Sequence, residues 1–338
     1  MRQGLRYVAL LIAVVFLLTG CPPVAAPAAS PAPPPQTIPS QPTPPQPSPP
    51  PAGAPGTGVG TLQVHFIDVG QGDSILIQAP DGKTMLIDGS EANSAALEYL
   101  KSKGINHLDL VVATHPHADH IGGLVQVLKA IPVAKVITSG QPTTTKTYEN
   151  FLDAIAAAKA EYVEVKRGDT VRLGYLTFSV LHPISSEGDD LNNGSVVLHL
   201  EYGQVSFLFT GDAEKEAEGS VSVSSVSPVK AMILKVGHHG SRTASSRAFL
   251  ALVEPEVAIY SAGKGNNYGH PHPEAIAALK AAGARIYGTD VNGTVIVTTD
   301  GKTYSVAAAR GGSLALLPEA PGPLLAGLVG AGASRGRP

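Results

Sequence analysis

Between Thr114 and His120 the chain reads Thr-His-Pro-His-Ala-Asp-His, three imidazoles and a carboxylate in close succession. Neutral imidazole and carboxylate are the ligands a borderline-soft divalent ion such as zinc prefers. Ordinary surface histidines in a loop would leave the H-x-H-x-D-H spacing to chance, so the stretch is read as a metal site. Seven of the eleven histidines fall in three clusters: this run, His238-His239, and His270-Pro271-His272. A further carboxylate, Asp212, follows the apolar run Phe207-Leu208-Phe209. Cys21 is the only cysteine, which excludes a disulfide within the chain and thiolate ligands in its folded part. Any metal must be held by His, Asp, Glu and water.

Such ligands need strands to bring them into one volume, and apolar runs precede each cluster. The pattern predicts strands over Leu62–Val69, Ser74–Gln78 and Met85–Ile87, the last two joined by a type I′ turn at Asp81-Gly82. A helix over Ala92–Lys103 stops at Gly104, the strand Leu108–Ala113 delivers the histidine run, and a helix follows from Gly122 to Ala130. Further on come a strand at Lys135–Thr138, a helix at Tyr148–Ala160, and strands at Val171–Leu181, Ser195–Tyr202, Val205–Thr210, Met232–Val236 and Val257–Tyr260. Ser246–Leu252 and Pro273–Ala282 read as helices, the second with proline in its first turn, and Asn292-Gly293 and Asp300-Gly301 read as hairpins. Two β-rich halves, each flanked by helices, predict an α/β (α+β) four-layer αββα sandwich with the site along one edge of the sheets.

Residues 61–308 hold this pattern. Ahead of them, Arg2 and Arg6 precede an apolar run from Tyr7 to Leu18 and then Thr19-Gly20-Cys21. That is a signal peptide over 1–21, and Leu-Thr-Gly-Cys resembles the lipobox at which Cys21 would be acylated. The chain is therefore expected outside the cytoplasm, lipid-anchored at the cell membrane. Residues 22–60 carry no charge and 16 of the 29 prolines, the composition of an extended spacer. Residues 309–338 are rich in Gly, Ala and Pro and read as a poorly ordered tail. From Thr61 to Ala308, 19 Lys+Arg face 26 Asp+Glu, a net charge of −7. A domain that binds nucleic acid mainly through its phosphates is usually basic, so a strong polyanion affinity is not expected.

Seven segments together resemble the metallo-β-lactamase fold hydrolases, within them the standalone relatives of the hydrolase domain of the competence protein ComEC. They are His65-Phe-Ile-Asp-Val-Gly-Gln-Gly-Asp-Ser74, Leu86-Ile-Asp-Gly89, the H-x-H-x-D-H run, Asn192-Asn-Gly-Ser-Val-Val-Leu198, Thr210-Gly-Asp212, Val236-Gly-His-His-Gly-Ser241 and Tyr268-Gly-His-Pro-His-Pro273. They occur in family order over nearly all of Thr61 to Val306. The resemblance implies two divalent ions, zinc first and manganese second, with a bridging hydroxide as nucleophile. His115 and His117 would hold one ion, Asp119 and His120 the other, Asp212 would bridge them, and His238 or His239 would complete the second. The family's usual third histidine for the first ion has no counterpart in its usual context, and His182 and His199 read as structural. Asp119, His239, His270 and His272 are then the residues nearest the chemistry. Ser241, Arg242, Asn193 and Lys264 are candidates for binding substrate, Arg242 by a bidentate fork and Lys264 from a mobile loop that includes Tyr268. Asp68 and Asp88 would orient histidine ligands from behind.

The leading expectation is a metal-dependent phosphodiesterase or nuclease, with DNA among the candidate substrates and no obligate protein partner. A second keeps the site but changes the substrate to a small phosphoester, a lactone or a β-lactam. A third, of a different class, is a lipid-anchored binding protein for an anionic ligand, disfavoured because Asp119 and Asp212 are both kept.

Overall fold

Strands from the first and last parts of the chain share one sheet, and the middle of the chain forms the other, in the computed structural model, which describes residues 60–311 apart from Glu187 and Asp189. The segments expected to be a signal peptide ending at Cys21, a spacer before residue 60 and a tail after residue 311 lie outside the described residues. β1 (Leu62–Phe66), β2 (Ile75–Gln78) and β3 (Thr84–Ile87) form an antiparallel meander. α1 (Ala95–Ser102) returns the chain to β4 (Leu108–Ala113), parallel to β3. Two short helices, α2 (Ala118–Ile121) and α3 (Leu124–Ala130), lead to β5 (Val133–Thr138), and α4 (Lys146–Ala158) leads to β6 (Glu161–Glu164).

The second half opens with β7 (Thr170–Leu173), β8 (Leu176–His182), β9 (Val197–Tyr202) and β10 (Val205–Phe209), all antiparallel. It then turns parallel: α5 (Lys215–Ser222), β11 (Ile233–Lys235), a 3₁₀ turn at Gly237–Gly240, α6 (Arg247–Val253), β12 (Val257–Tyr260), α7 (Pro273–Ala281) and β13 (Arg285–Gly288). α8 (Thr289–Asn292) carries the chain back to the first sheet, which β14 (Val295–Thr299) and β15 (Tyr304–Ala308) complete. The sheets run β15-β14-β1-β2-β3-β4-β5-β6 and β13-β12-β11-β10-β9-β8-β7.

One apolar core lies between the sheets, where Phe66, Phe178, Phe207 and Phe209 meet at ring spacings of 6.1–6.5 Å. Burying each such side chain stabilises the fold by about 1.5–3 kcal/mol. A second core fills the space between the first sheet and α1, α3 and α4, and a third lies under α5, α6 and α7. These layers make the expected αββα sandwich. Buried on both faces, β4 reads Leu-Asp-Leu-Val-Val-Ala, a nearly unbroken apolar run.

Several local expectations fail for identifiable reasons. The helix expected over 122–130 is present as α3, but a separate turn of helix, α2, precedes it, so Asp119 and His120 sit on a helical turn rather than in a loop. The single strand expected at 171–181 is a hairpin turned at Gly174, whose φ is +57°. Asp81-Gly82 belongs to a three-residue connection closed by Ala79 N–H to the Lys83 carbonyl, with only Gly82 at positive φ; a type I′ turn needs two such residues. Asn292-Gly293 ends α8, and the chain crosses between sheets there instead of making a hairpin. The short strands β6 and β13 and the polar helix α5 carry too little periodic apolar signal to be read beforehand.

Candidate metal centre

Parallel strands place their carboxyl ends, and the loops after them, along one edge of each sheet, where crevices in open α/β sheets form. Here β3 ends in Asp88, β4 in the His115–His120 run, β10 in Asp212, and β11 in His238-His239. The loop after β12 supplies His270 and His272. Close backbone approaches fix the pieces against one another. A Cβ on Gly72 would lie 2.1 Å from the Asp119 carbonyl oxygen, and one on Gly123 would lie 2.0 Å from that of Gly89. Any side chain at either position would push the β1–β2 loop or the β3 end away from the histidine run.

Asp212 Oδ2 is the centre. His120 Nε2 and His239 Nε2 each lie 3.2 Å from it, with His238 Nε2 at 3.8 Å and His115 Nε2 at 3.9 Å. His239 Nε2 is also 3.2 Å from Asp119 Oδ2, and His117 Nδ1 is 2.9 Å from His115 Nε2. His115, His120 and Asp212 offer ligand atoms within 4.8 Å of one another, as do Asp119, His120 and His239. His120 Nε2, His239 Nε2 and Asp212 Oδ1 are buried without a hydrogen-bond partner. Buried polar atoms are rarely left so, and three that converge on one point fit a cation. Burial alone would raise the Asp212 carboxyl, but His120 and His239 outweigh it and hold it well below the carboxylate range. The same carboxylates lift both imidazoles well above their ordinary value against the effect of burial. Negative charge dominates where these side chains meet.

A floor of buried groups sets the ligand tautomers. Asp88 Oδ2 is 2.8 Å from His120 Nδ1, and Asp88 also accepts from the Thr114 N–H and hydroxyl. His120 thereby turns its Nε2 to the centre. His239 Nδ1 lies 3.0 Å from the Ser261 carbonyl and 3.3 Å from Asp73 Oδ1, which likewise frees its Nε2. Asp73 is held in turn by the fully buried ammonium of Lys235, at 2.7 Å. The turn that splits the paired histidines is left-handed at both, with φ of 45° at His238 and 55° at His239. Backbone of that kind costs about 1–3 kcal/mol per residue and gathers at functional sites. It sets His238 farther out than His239: its Nδ1 is 2.7 Å from Glu214 Oε1, which the Thr243 hydroxyl also reaches, and its Nε2 stays 3.8 Å from Asp212 Oδ2, against 3.2 Å for His239.

His270 stands at the rim, its Nδ1 buried without a partner; burial and the neighbouring imidazoles of His239, His238 and His272 push it down to about 4. His272 Nδ1 accepts from the Arg242 N–H, so its proton is on Nε2. The other expected residues divide. Asp68 does not stand behind the ligands: it faces the β14–β15 edge, where it accepts from the Arg310 guanidinium at 2.8 Å, and Asp73 occupies the place expected of it. Asn193 does not face substrate, because its carbonyl caps α5 through the N–H groups of Glu214 and Ala217 and its amide donates to Asp190. Ser241 is buried and accepts from Thr243, and Arg242 is exposed with its guanidinium 3.9 Å from Glu274. Lys264 is exposed, outside the cleft wall. The loop expected to be mobile is pinned by Asn266, which accepts from the N–H groups of Tyr268 and His270 and donates to the carbonyls of Gly263 and His270. His182 and His199 bind the carbonyls of Asn193 and Lys230, away from the centre. Sequence reasoning missed Asp73, Lys235 and Glu214. A lysine ending an apolar strand was the one available signal, since a charge there must be paired.

Residues 67–264 match the metallo-β-lactamase superfamily. The chain is 36% identical over 253 residues to ComE operon protein 3 of Bacillus subtilis, covering 69% of this chain and 32% of that one. It is 33% identical over 244 residues to Recombination protein 2 of Haemophilus influenzae, covering 70% and 29%. The chain thus spans about a third of the length of these relatives. Among solved structures, the metallo-β-lactamase fold protein YhfI of Bacillus subtilis superposes with a TM-score of 0.48 at 13% identity, covering 70% of this chain and all (100%) of that one.

Proposed function

Since the chain belongs to the metallo-β-lactamase superfamily, we propose that its centre holds two divalent ions and hydrolyses a phosphodiester. One observation carries the reading: four imidazoles from two strand ends converge on Asp212 Oδ2, and His120 Nε2, His239 Nε2 and Asp212 Oδ1 are buried there without a hydrogen-bond partner. In this assignment His115 and His117 hold one ion, Asp119, His120 and His239 the other, and Asp212 both. His238 belongs to none of the clustered ligand sets and is not assigned as a ligand. Bound ions supply an activated water and a Lewis acid for the phosphoryl oxygen.

Charge supports a phosphoester over a neutral lactone or lactam. Asp73, Asp88, Asp119 and Asp212 bring four negative charges to the site and Lys235 one positive charge. While the bound water keeps its proton, two dications would turn this net −3 into a single positive excess, which a phosphodiester monoanion balances on binding. Around it, His238 and His270 line the cleft, and His272, its ring 4.9 Å from that of His270, keeps an Nε2–H to which we assign protonation of the leaving oxygen. A recombination protein among the relatives supports a nucleic-acid type of ester. Zinc or manganese restored to chelated protein should restore cleavage of bis(p-nitrophenyl) phosphate. Metal-independent cleavage, or turnover confined to a lactone, counts against the reading.

The leader supports a place for this activity outside the cytoplasm, on a lipid at Cys21. Among the described residues no helix is long and apolar enough to cross a membrane. Cys21→Ala should release the protein from the membrane fraction, whereas continued tight association would favour an uncleaved apolar anchor.

A further inference from the structure

The cleft over the metal centre has a volume of about 330 Å³, and among the described residues that line it there is neither lysine nor arginine. Gln71, His117, Asn192, His238, His270 and Tyr268 form most of its wall. Of the cations near it in sequence, Lys235 is tied to Asp73 beneath the site, and Lys215, Arg242 and Lys264 do not line the cleft. Residues 61–308 carry a net −7. A groove that follows a nucleic-acid backbone neutralises successive phosphates with Lys and Arg, and this cleft offers one place for one phosphate, at the centre itself.

The opposite feature stands at the lip. Tyr268 is 60% exposed although it belongs to a pinned loop. Its ring stacks on His270 with centroids 5.7 Å apart and planes 19° apart, and the His270 ring lies 5.9 Å and 34° from that of His239. The three rings make a run from the metal ligands to solvent, and its outer member turns a face to water. An aromatic ring held in place by a hydrogen-bonded loop loses little freedom on binding another flat ring, so it serves as a stacking platform. Gln71, whose Oε1 accepts from the Gly263 N–H, ties this loop to the β1–β2 loop across the cleft.

We propose that the site takes a short phosphodiester bearing a flat ring, of dinucleotide type, with the phosphate at the centre and the ring stacked on Tyr268, rather than a long polyanion. This rests on the phosphodiesterase reading of the centre and adds which ester it selects. Recognition then comes from one charge and one ring. Its salt dependence is that of a single phosphate, less than about threefold in affinity between 50 and 200 mM salt.

Calorimetry on the metal-loaded full chain tests this without requiring turnover. The probes are a phosphorothioate-linked thymidine dinucleotide, its abasic counterpart, and phosphorothioate decathymidylate. The dinucleotide should bind about tenfold tighter than the abasic compound. Tyr268→Ala should erase that gap and Tyr268→Phe should keep it, and the decamer should bind no tighter than its greater number of linkages accounts for. Equal binding of the first two probes, no binding of either, or a gap that survives in Tyr268→Ala overturns the proposal. So does a decamer affinity that climbs steeply as salt is lowered. Ring-dependent binding without hydrolysis of the phosphate-linked dinucleotide would leave this inference standing and remove the hydrolytic reading; hydrolysis without ring dependence would do the reverse.

Discussion

The floor and the rim of the cleft are built on different terms. In the floor, Asp73, Asp88, His115, His120, Asp212, Lys235 and His239 are each no more than 2% exposed. Lys235 offsets only part of their negative charge within the protein, and strand ends hold them from both sheets. The rim residues His117, His238, His270, His272 and Tyr268 come from loops and are half-buried or exposed. Floor groups answer to electrostatics in a dry interior, where an unpaired charge is expensive. Rim groups answer to what enters from solvent. Changes to the floor should therefore disturb stability and metal together, and changes to rim residues other than the assigned ligand His117 should leave both in place and disturb substrate binding or turnover.

Lys235→Met should be the severest. It leaves the Asp73 carboxylate buried without its cation, a loss of about 3–5 kcal/mol in a urea titration. Adding Asp73→Asn should recover part of it; a single variant as stable as the parent would show that the pair is not a structural element of the floor. Asp212→Ala comes next, with loss of at least one metal equivalent and a fall in turnover of about 10²-fold or more. Full metal occupancy in that variant would remove Asp212 from the shared position. On the rim, His272→Ala should keep both metals and lose about 10²-fold in turnover, the usual worth of a positioned proton donor. Metal loss there would erase the distinction between the two regions.

The smallest effect lies outside both. His65, 2% exposed with its Nδ1 2.7 Å from the Tyr99 hydroxyl, is pushed down to about 4, first by burial and then by Lys103. The folded state thus favours neutral His65, so its contribution is complete above the unfolded value of about 6.5 and is lost as pH falls toward 4. By pH 5 this amounts to about 2 kcal/mol. His65→Gln should flatten the decline in urea stability between pH 7 and 5, and an unchanged slope would assign the decline to other groups.

The division also governs what the sequence made legible. His115, His117, Asp119, His120 and Asp212 stand at the ends of long apolar strands, so their residue types and spacing pointed to one volume before any coordinates did. The layers followed from the same runs. The choice within His238-His239 could not be read, because it depends on two consecutive left-handed residues and on Glu214, supplied by another loop. Asp68 and Asp73 lie in one motif and look alike as letters; only the fold brings Lys235 to one and Arg310 to the other. Asn193 shows the converse, a motif residue whose polar atoms are taken up by a helix start.

The assignment of the paired histidines is the sharpest point at which the account can fail. Zinc content should be measured on the parent, His239→Ala and His238→Ala after chelation and reloading. The account predicts two equivalents in the parent, one in His239→Ala and two in His238→Ala. A parent that never exceeds one equivalent, or a metal lost from His238→Ala and kept in His239→Ala, would contradict it.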